Sequence, residues 1–308
     1  MRIGLTGGAS TPEKIIRQAQ RAEADGFASL WYASTVTGDP LTPMALAGRE
    51  TSRIELGTAV LQTYPCHPLL QANRAASAVA TMGRPGLTIG IGPSHESLIR
   101  ETYGLSYDHP GRSTEEYVQI LARLLRGQEV DFQGEDWSVR SSDRMAPLAA
   151  PVPVLLSALS PRLLRVAGEH ADGTVLWMAP IKAIDSHIAP RIHAAAAAAG
   201  RPAPRIVAGL PVAVHDDISE ARAAVTATSG SYAGMPNYQR VLAAGGASSP
   251  ADAAIVGTET SVAAQLRSLL DAGATDIWAA IIPVGPDHVG SMRRTRELLS
   301  ALATQPAL

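Results

Sequence analysis

The chain has a single cysteine, two phenylalanines, a near-zero net charge and no long apolar run. Cys66 has no second cysteine to pair with, so an intrachain disulfide and a thiolate-rich metal site are both excluded. Lysine and arginine (26) nearly balance aspartate and glutamate (28), and the net charge of -2 provides no basic stripe to meet phosphates. Nucleic acid is therefore not an expected partner. No apolar run approaches bilayer length, and the amino terminus lacks the basic start and apolar centre of a signal peptide, so a cytoplasmic protein without membrane contact is expected. His, Asp and Glu do not fall at metal-ligand spacing, no G-x-S-x-G elbow occurs, and no metal is expected.

What is present is a repeating rhythm of short apolar runs and helical stretches. Ile3 to Gly7 reads as a first strand, then Ser10 with Glu13 as a capping box, Pro12 in the first helical turn and Gly26 as the stop. Phe27 to Tyr32 is a second strand, followed by a loop from Ala33 to Pro40 and a helix over about Thr42 to Thr51. Ile54 to Val60 and Leu87 to Ile91 are the third and fourth strands, with an alanine-rich helix from Leu69 to Thr81 between them. A helix from about Thr114 to Arg126 and a small hairpin over Val130 to Val139 precede strand five, Pro153 to Ser157. Thr174 to Trp177, Arg205 to Val214 and Thr275 to Ile282 complete the strands, with an irregular insertion from Gly230 to Tyr238. Eight strands, each followed by a helix, predict one (β/α)8 barrel domain over residues 1–308, with insertions at its carboxyl-terminal face. A doubly wound open sheet would normally use fewer such units.

In a barrel the chemistry collects at the carboxyl ends of the strands, which here means the loops after Val60 and Ile91. Gly90-Ile91-Gly92 lacks the third glycine and the later acid of a dinucleotide fingerprint, so it marks either a tight turn or a close backbone approach to a flat ligand. Ser160 before Pro161 is either an ordinary helix cap or a phosphate site at a helix amino terminus. His67 reads as a scaffold residue and Asp172 as structural, whereas His95, just past the glycine turn, is placed to serve as a proton donor. Nothing beside Cys66 in sequence would activate it as a nucleophile.

These residues resemble those of the luciferase-like flavin and deazaflavin oxidoreductases, specifically the branch dependent on coenzyme F420. The resemblance runs essentially the whole length of the chain. It is carried by Ile54 to Val60 with Tyr64-Pro65-Cys66-His67-Pro68, by Leu87 to His95, by Ala171 to Val175 and by Val262 to Trp278. It implies a barrel with the deazaflavin at the carboxyl ends of the strands and a non-prolyl cis peptide at Ala59-Val60 that pushes a bulge against the cofactor ring. It also maps the family's strand-four loop onto Gly92, Pro93, Ser94 and His95, and its phosphate-binding backbone onto Ala158, Leu159 and Ser160. Thr174 and Val175 would lie near the cofactor tail, and Ser34, Thr58 and Gln62 complete the expected cofactor set. Where related dehydrogenases carry an acid followed by a histidine after strand two, this chain has Ser34-Thr35, and His95 stands where some members have a glutamate.

Loss of the usual base favours an F420H2-dependent reductase, with a hydride passing to an electron-poor C=C or C=N bond of a small or peptidic natural product. His95 or bound water would supply the proton. The other readings are an F420-reducing dehydrogenase, an FMNH2-dependent monooxygenase and a non-catalytic ligand-binding barrel. Trp31, Tyr64, Trp177, Tyr232, Met235 and Tyr238 either wall an apolar substrate pocket or pack ordinarily. A homodimer is expected from the resemblance alone.

Overall fold

A barrel strand packs on helices outside and on the filled barrel inside, and the strands here are accordingly buried along nearly their whole length rather than at alternate residues. The computed structural model describes residues 1–35, 38–142 and 144–305. Val36 and Thr37, part of the loop expected after the second strand, lie outside the described residues.

The strands are β1 (Ile3–Gly7), β2 (Ser29–Tyr32), β3 (Glu55–Thr58), β4 (Leu61–Gln62), β5 (Leu87–Gly92), β6 (Asp131–Gln133), β7 (Ser138–Arg140), β8 (Val154–Leu156), β9 (Gly173–Trp177), β10 (Arg205–Val214), β11 (Ile255–Gly257) and β12 (Asp276–Ile281). All pairings among β1, β2, β3, β5, β8, β9, β10 and β12 are parallel, in the order β12-β1-β2-β3-β5-β8-β9-β10. Because β10 bonds both β9 and β12, the sheet closes into the expected eight-stranded (β/α)8 barrel. The antiparallel β6–β7 hairpin stands outside it, as the alternation in that segment predicted.

The helices are α1 (Pro12–Ala24), α2 (Leu41–Arg49), α3 (Pro68–Met82), α4 (Pro110–Leu124), α5 (Pro161–His170), α6 (Ile181–Ala183), α7 (Ala189–Ala198), α8 (Ile218–Ser229), α9 (Pro236–Ala244), α10 (Pro250–Ala253), α11 (Glu259–Asp271) and α12 (His288–Thr304). Among the described residues no helix is long and apolar enough to cross a membrane.

Local chemistry corrects three expected boundaries. Thr11, not Ser10, caps α1, its hydroxyl accepting from the Lys14 N–H at 3.4 Å. α4 begins at Pro110 rather than near Thr114, because proline is at home in a first helical turn. Tyr238 lies on α9 rather than in irregular chain. Two strands are additional: β4 continues β3 against β5, pairing Leu61 with Ile91, and β11 adds to the far end of β10, pairing Ile255 with Val212 and Gly257 with Val214.

The barrel interior is layered. At the amino-terminal mouth, Arg205 pairs with Glu55 at 2.9 Å and Asp276 at 2.7 Å, Arg2 joins both carboxylates, and Thr88 donates to Glu55. Burial alone would raise the Asp276 carboxyl, but the Arg205 guanidinium outweighs it and holds that group below its ordinary value. Above this plug sit Trp31, Leu155, Val175, Val207 and Trp278. Two strand glycines make room for the indoles: a Cβ on Gly57 would lie 2.4 Å from the Trp31 ring, and one on Gly209 would lie 2.2 Å from the Trp278 ring. Both tryptophans come five residues after a glycine at a helix end, Gly26 and Gly273, on strands that flank β1.

Candidate active site

The site begins with a fault in the sheet. Gly57 pairs with Thr88 on β5, yet Leu61 pairs with Ile91, so β3 and β4 spend one more residue than β5 over the same span. That is a β-bulge at Ala59–Val60, and the peptide bond between those residues is cis. The Thr58 hydroxyl replaces the interrupted ladder, donating to the Gly90 carbonyl at 2.7 Å and accepting from the Gly90 N–H at 2.8 Å. Gly90 has to be glycine, since a Cβ there would fall 1.9 Å from the Thr58 carbonyl oxygen. The first glycine of Gly90-Ile91-Gly92 thus serves strand packing rather than a ligand.

At the carboxyl ends of the strands lies a cavity of about 550 Å³. β1 contributes Thr6, β2 and the chain after it Trp31 and Ser34, the bulge and β4 Ala59, Val60 and Gln62, and the end of β5 with the chain after it Gly92, Pro93, Ser94 and His95. Leu159 and Ser160 follow β8, while Val175 and Trp177 belong to β9, and Tyr232 and Tyr238 come from the excursion between β10 and β11. The residues named so far, Thr6 apart, are ones expected from sequence. Thr6, Leu98, Ser157, Leu163, Thr228, Ser229, Asn237, Trp278, Ala280 and Ile282 also line the cavity but were not singled out. Thr6, Ser157 and Ala280 lie at or near strand carboxyl ends, a position that would have found them. Asn237 lies within the irregular insertion from Gly230 to Tyr238, whereas no comparable signal marks Thr228 or Ser229.

Five expected site residues stand elsewhere. Thr58 and Thr174 are fully buried, and the Thr174 hydroxyl donates to the Leu156 carbonyl at 2.7 Å. Ala158 is buried in the main core. Tyr64 packs its ring 5.2 Å from Tyr107, and Met235 caps α9 with its N–H on the Tyr232 carbonyl; neither lines the cavity.

His95 is half-buried, and its imidazole has no hydrogen-bond partner among the described residues. Its ring centre lies 6.4 Å from that of Tyr232 and 6.3 Å from that of Tyr238. Burial pushes its pKa below the ordinary 6.5, so the ring is neutral at neutral pH with both nitrogens free for a ligand. The turn that precedes it is a left-handed one at Ser94 (φ 66°), a conformation that non-glycine residues seldom adopt. The Tyr107 hydroxyl donates to the Ser94 carbonyl at 2.9 Å and so pins this turn. Burial raises the phenols of Tyr232 and Tyr238 as well, keeping both protonated. Among the described residues, no Asp, Glu, Lys or Arg lines the cavity.

Other marked residues have structural partners. His67 Nδ1 accepts from the Leu69 N–H at 3.2 Å and Nε2 donates to the Ser138 carbonyl at 3.1 Å, which consumes both ring nitrogens. Cys66 lies off the cavity with its thiol 3.8 Å from Arg74. Asp172 accepts from Arg126 and Arg201 and from the Val154 N–H. The Ser160 hydroxyl caps α5 through the Leu163 N–H at 3.3 Å. Among the described residues, one group could offer three metal ligands, Glu115, Glu169 and His170, but both of its carboxylates pair with arginines.

A closed parallel barrel with a bulge in its third strand and an apolar cavity at the strand ends is the architecture of a ligand-binding barrel enzyme. The family described as luciferase-like monooxygenase matches residues 1–297, and the chain belongs to that family of oxidoreductases. A 5,10-methylenetetrahydromethanopterin reductase of Methanolobus tindarius is 26% identical over 303 residues, covering 89% of this chain and 91% of the relative. The fold is also that of an F420-dependent secondary alcohol dehydrogenase solved with an F420-acetone adduct (TM-score 0.78, 17% identity, 99% of both chains). A type II Baeyer-Villiger monooxygenase from Pseudomonas putida, solved with FMN, has it too (TM-score 0.74, 16% identity, 100% of this chain and 99% of that one).

Proposed function

We propose that this chain is an F420H2-dependent reductase acting on an electron-poor C=C or C=N bond of a small or peptidic natural product. The observation that carries the reading is the cavity wall formed by the Ala59–Val60 bulge and the Gly92–His95 loop, with no Lys or Arg side chain on the lining among the described residues. The residues fit a flat heteroaromatic ring. Ala59, Val60, Gly92 and Ser157 are small, and a Cβ on Gly92 would already lie 3.1 Å from Ser157 Cβ and 3.2 Å from Val60 Cγ2. Ser34, Gln62 and Ser94 offer neutral hydrogen-bonding groups for its edge. Leu159 and Ser160, at the amino terminus of α5, would hold the phosphate of the tail by backbone N–H groups. The phosphate monoester of FMN calls for a cation more strongly than the diester of F420 does, and the charge-free lining supports the deazaflavin.

When bound, the reduced deazaflavin supplies a hydride. His95 holds the proton that the substrate acquires, hydrogen-bonded to the acceptor nitrogen or oxygen through a ring N–H. The aromatic rings around it exclude water. The protein is proposed to act as a homodimer, a reading supported by the exposed apolar Leu46 and Leu70 on the packed helices α2 and α3.

A second reading has its own observation. A histidine whose pKa burial has lowered is poised to accept a proton, which suits an F420-reducing dehydrogenase. Against it, Ser34 and Thr35 place no acid or imidazole beside the cavity at the end of β2.

Titration of the purified protein with F420, F420H2, FMN and FMNH2 tests the proposal. Micromolar binding of F420H2 with little binding of FMN supports it, and His95→Ala should then lower turnover more than affinity. Tight FMN binding would overturn the F420 assignment in favour of a monooxygenase. Binding of neither would remove the catalytic reading altogether.

A further inference from the structure

The rings around the cavity form a connected series that starts inside the barrel. Trp278 lies 5.0 Å from Trp177, Trp177 6.3 Å from Tyr232, and Tyr232 4.8 Å from Tyr238, with His95 touching both tyrosines. Such spacings are those of packed aromatic pairs, and they place this wall three strands round the barrel from the bulge, on β9 and the excursion after β10. The indole N–H of Trp177 is buried, with the Tyr232 hydroxyl beside it as a partner that falls short of good hydrogen-bond geometry. A carbonyl or imine acceptor entering the cavity would give that donor a better partner. Apart from the neutral His95 imidazole, the polar side chains lining the cavity among the described residues are hydroxyls and amides, so a carboxylate taken in beside these rings would meet no fixed counter-charge.

From the aromatic wall and the charge-free lining together we infer the substrate class: the part that enters is a planar, uncharged, conjugated ring bearing an acceptor carbonyl or imine, and acids are selected against. This rests on the cavity being the substrate site of the reading above, and it adds the charge and shape of what that site admits. Trp177 and Tyr232 stack the ring, and the absence of a cation is the element that discriminates.

Coumarin and coumarin-3-carboxylate are suitable probes, because they share the ring and the electron-poor C=C bond and differ by one charge. Both would be titrated calorimetrically into the full chain, with and without F420H2. Coumarin should bind, and the acid should bind roughly 100-fold more weakly, as expected for a buried unpaired charge. Tyr232→Leu should weaken coumarin about tenfold while Tyr232→Phe retains it, since the ring and not the hydroxyl makes the contact. Asn237→Lys, which plants a cation on the lining, should shrink the preference for the neutral probe to under about tenfold; Ser34→Lys repeats the test from the other side should that variant fold poorly. Equal or tighter binding of the acid, no binding of coumarin, or an unchanged preference in both lysine variants would each overturn the inference. Failure of F420 assignment is read separately, in the cofactor titration, and leaves the charge preference measurable.

Discussion

Replacing Thr58 by valine isolates what holds the bulge. The exchange keeps shape and removes one oxygen, the one that donates to the Gly90 carbonyl and accepts from the Gly90 N–H in a fully buried site. Both backbone groups would be left unpaired, at about 1–3 kcal/mol each, or roughly 2–4 kcal/mol together once the added methyl is credited. At about 2–4 °C per kcal/mol for a large domain, the melting temperature should fall by roughly 5–12 °C. Thr58→Ser keeps the oxygen and should lose only about 1 kcal/mol, the worth of a buried methyl. Calorimetry of the three proteins measures this, and titration with F420H2 shows whether a loosened bulge weakens the ligand by about tenfold, equivalent to about 1.4 kcal/mol. A Thr58→Val protein that melts within about 2 °C of its parent would refute the claim that this hydroxyl substitutes for the ladder. A clear loss of stability with unchanged affinity would leave the bulge as architecture without a ligand contact.

Tyr107→Phe should free the Ser94 turn at a cost of about 1 kcal/mol, lowering kcat about tenfold with a distinctly smaller loss of F420H2 affinity, since Ser94 also faces the ring edge; equal losses in both would place Tyr107 in general folding rather than in the orientation of His95. Because burial disfavours the His95 imidazolium, the form that gives up a proton, turnover in the reductase direction should fall as the pH rises through an apparent pKa below 6.5. A limb at or above that value, or one that persists in His95→Gln, contradicts the assignment. Asp276 has a carboxyl held below 3.8, so its stabilisation is complete above that pH and disappears as the pH falls through its lower native value. Melting temperatures from pH 2 to 6 should therefore drop more steeply for the parent than for Asp276→Asn, and parallel curves would show that the plug does not act this way. Arg205→Met, which leaves Glu55 and Asp276 without their main partner, should cost about 3–5 kcal/mol in chemical denaturation.

The barrel could be read from sequence because its strands are continuous apolar runs punctuated by glycine and proline, and parallel strands buried on both faces leave that trace. The structural role of Asp172 and the scaffold role of His67 followed from position alone. β11 was beyond reach: three residues, Ile255–Gly257, become a strand only because the tail of β10 extends past the barrel to receive them. Tyr64 was placed at the cavity because it follows a strand end, yet its ring is claimed by Tyr107, 43 residues away and with no local signature. Thr58 and Thr174, placed at the cofactor by the resemblance, show the same limit: only the register reveals that a neighbouring strand has taken each hydroxyl.

The extension of β10 carries a consequence for how such a protein can diversify. Val212 to Val214 hold β11 beyond the closed barrel, and the excursion they anchor has a small core of its own, Ala213, Ala221, Val225, Ala251, Ala254 and Val256 with Ile282 and Val284. Tyr232 and Tyr238 ride on that excursion, while the ion pairs that plug the barrel belong to its opposite mouth. The segment is in effect an exchangeable cassette: grafting a different one between β10 and α11 would redraw the substrate wall while every strand pairing that closes the ring stays in place.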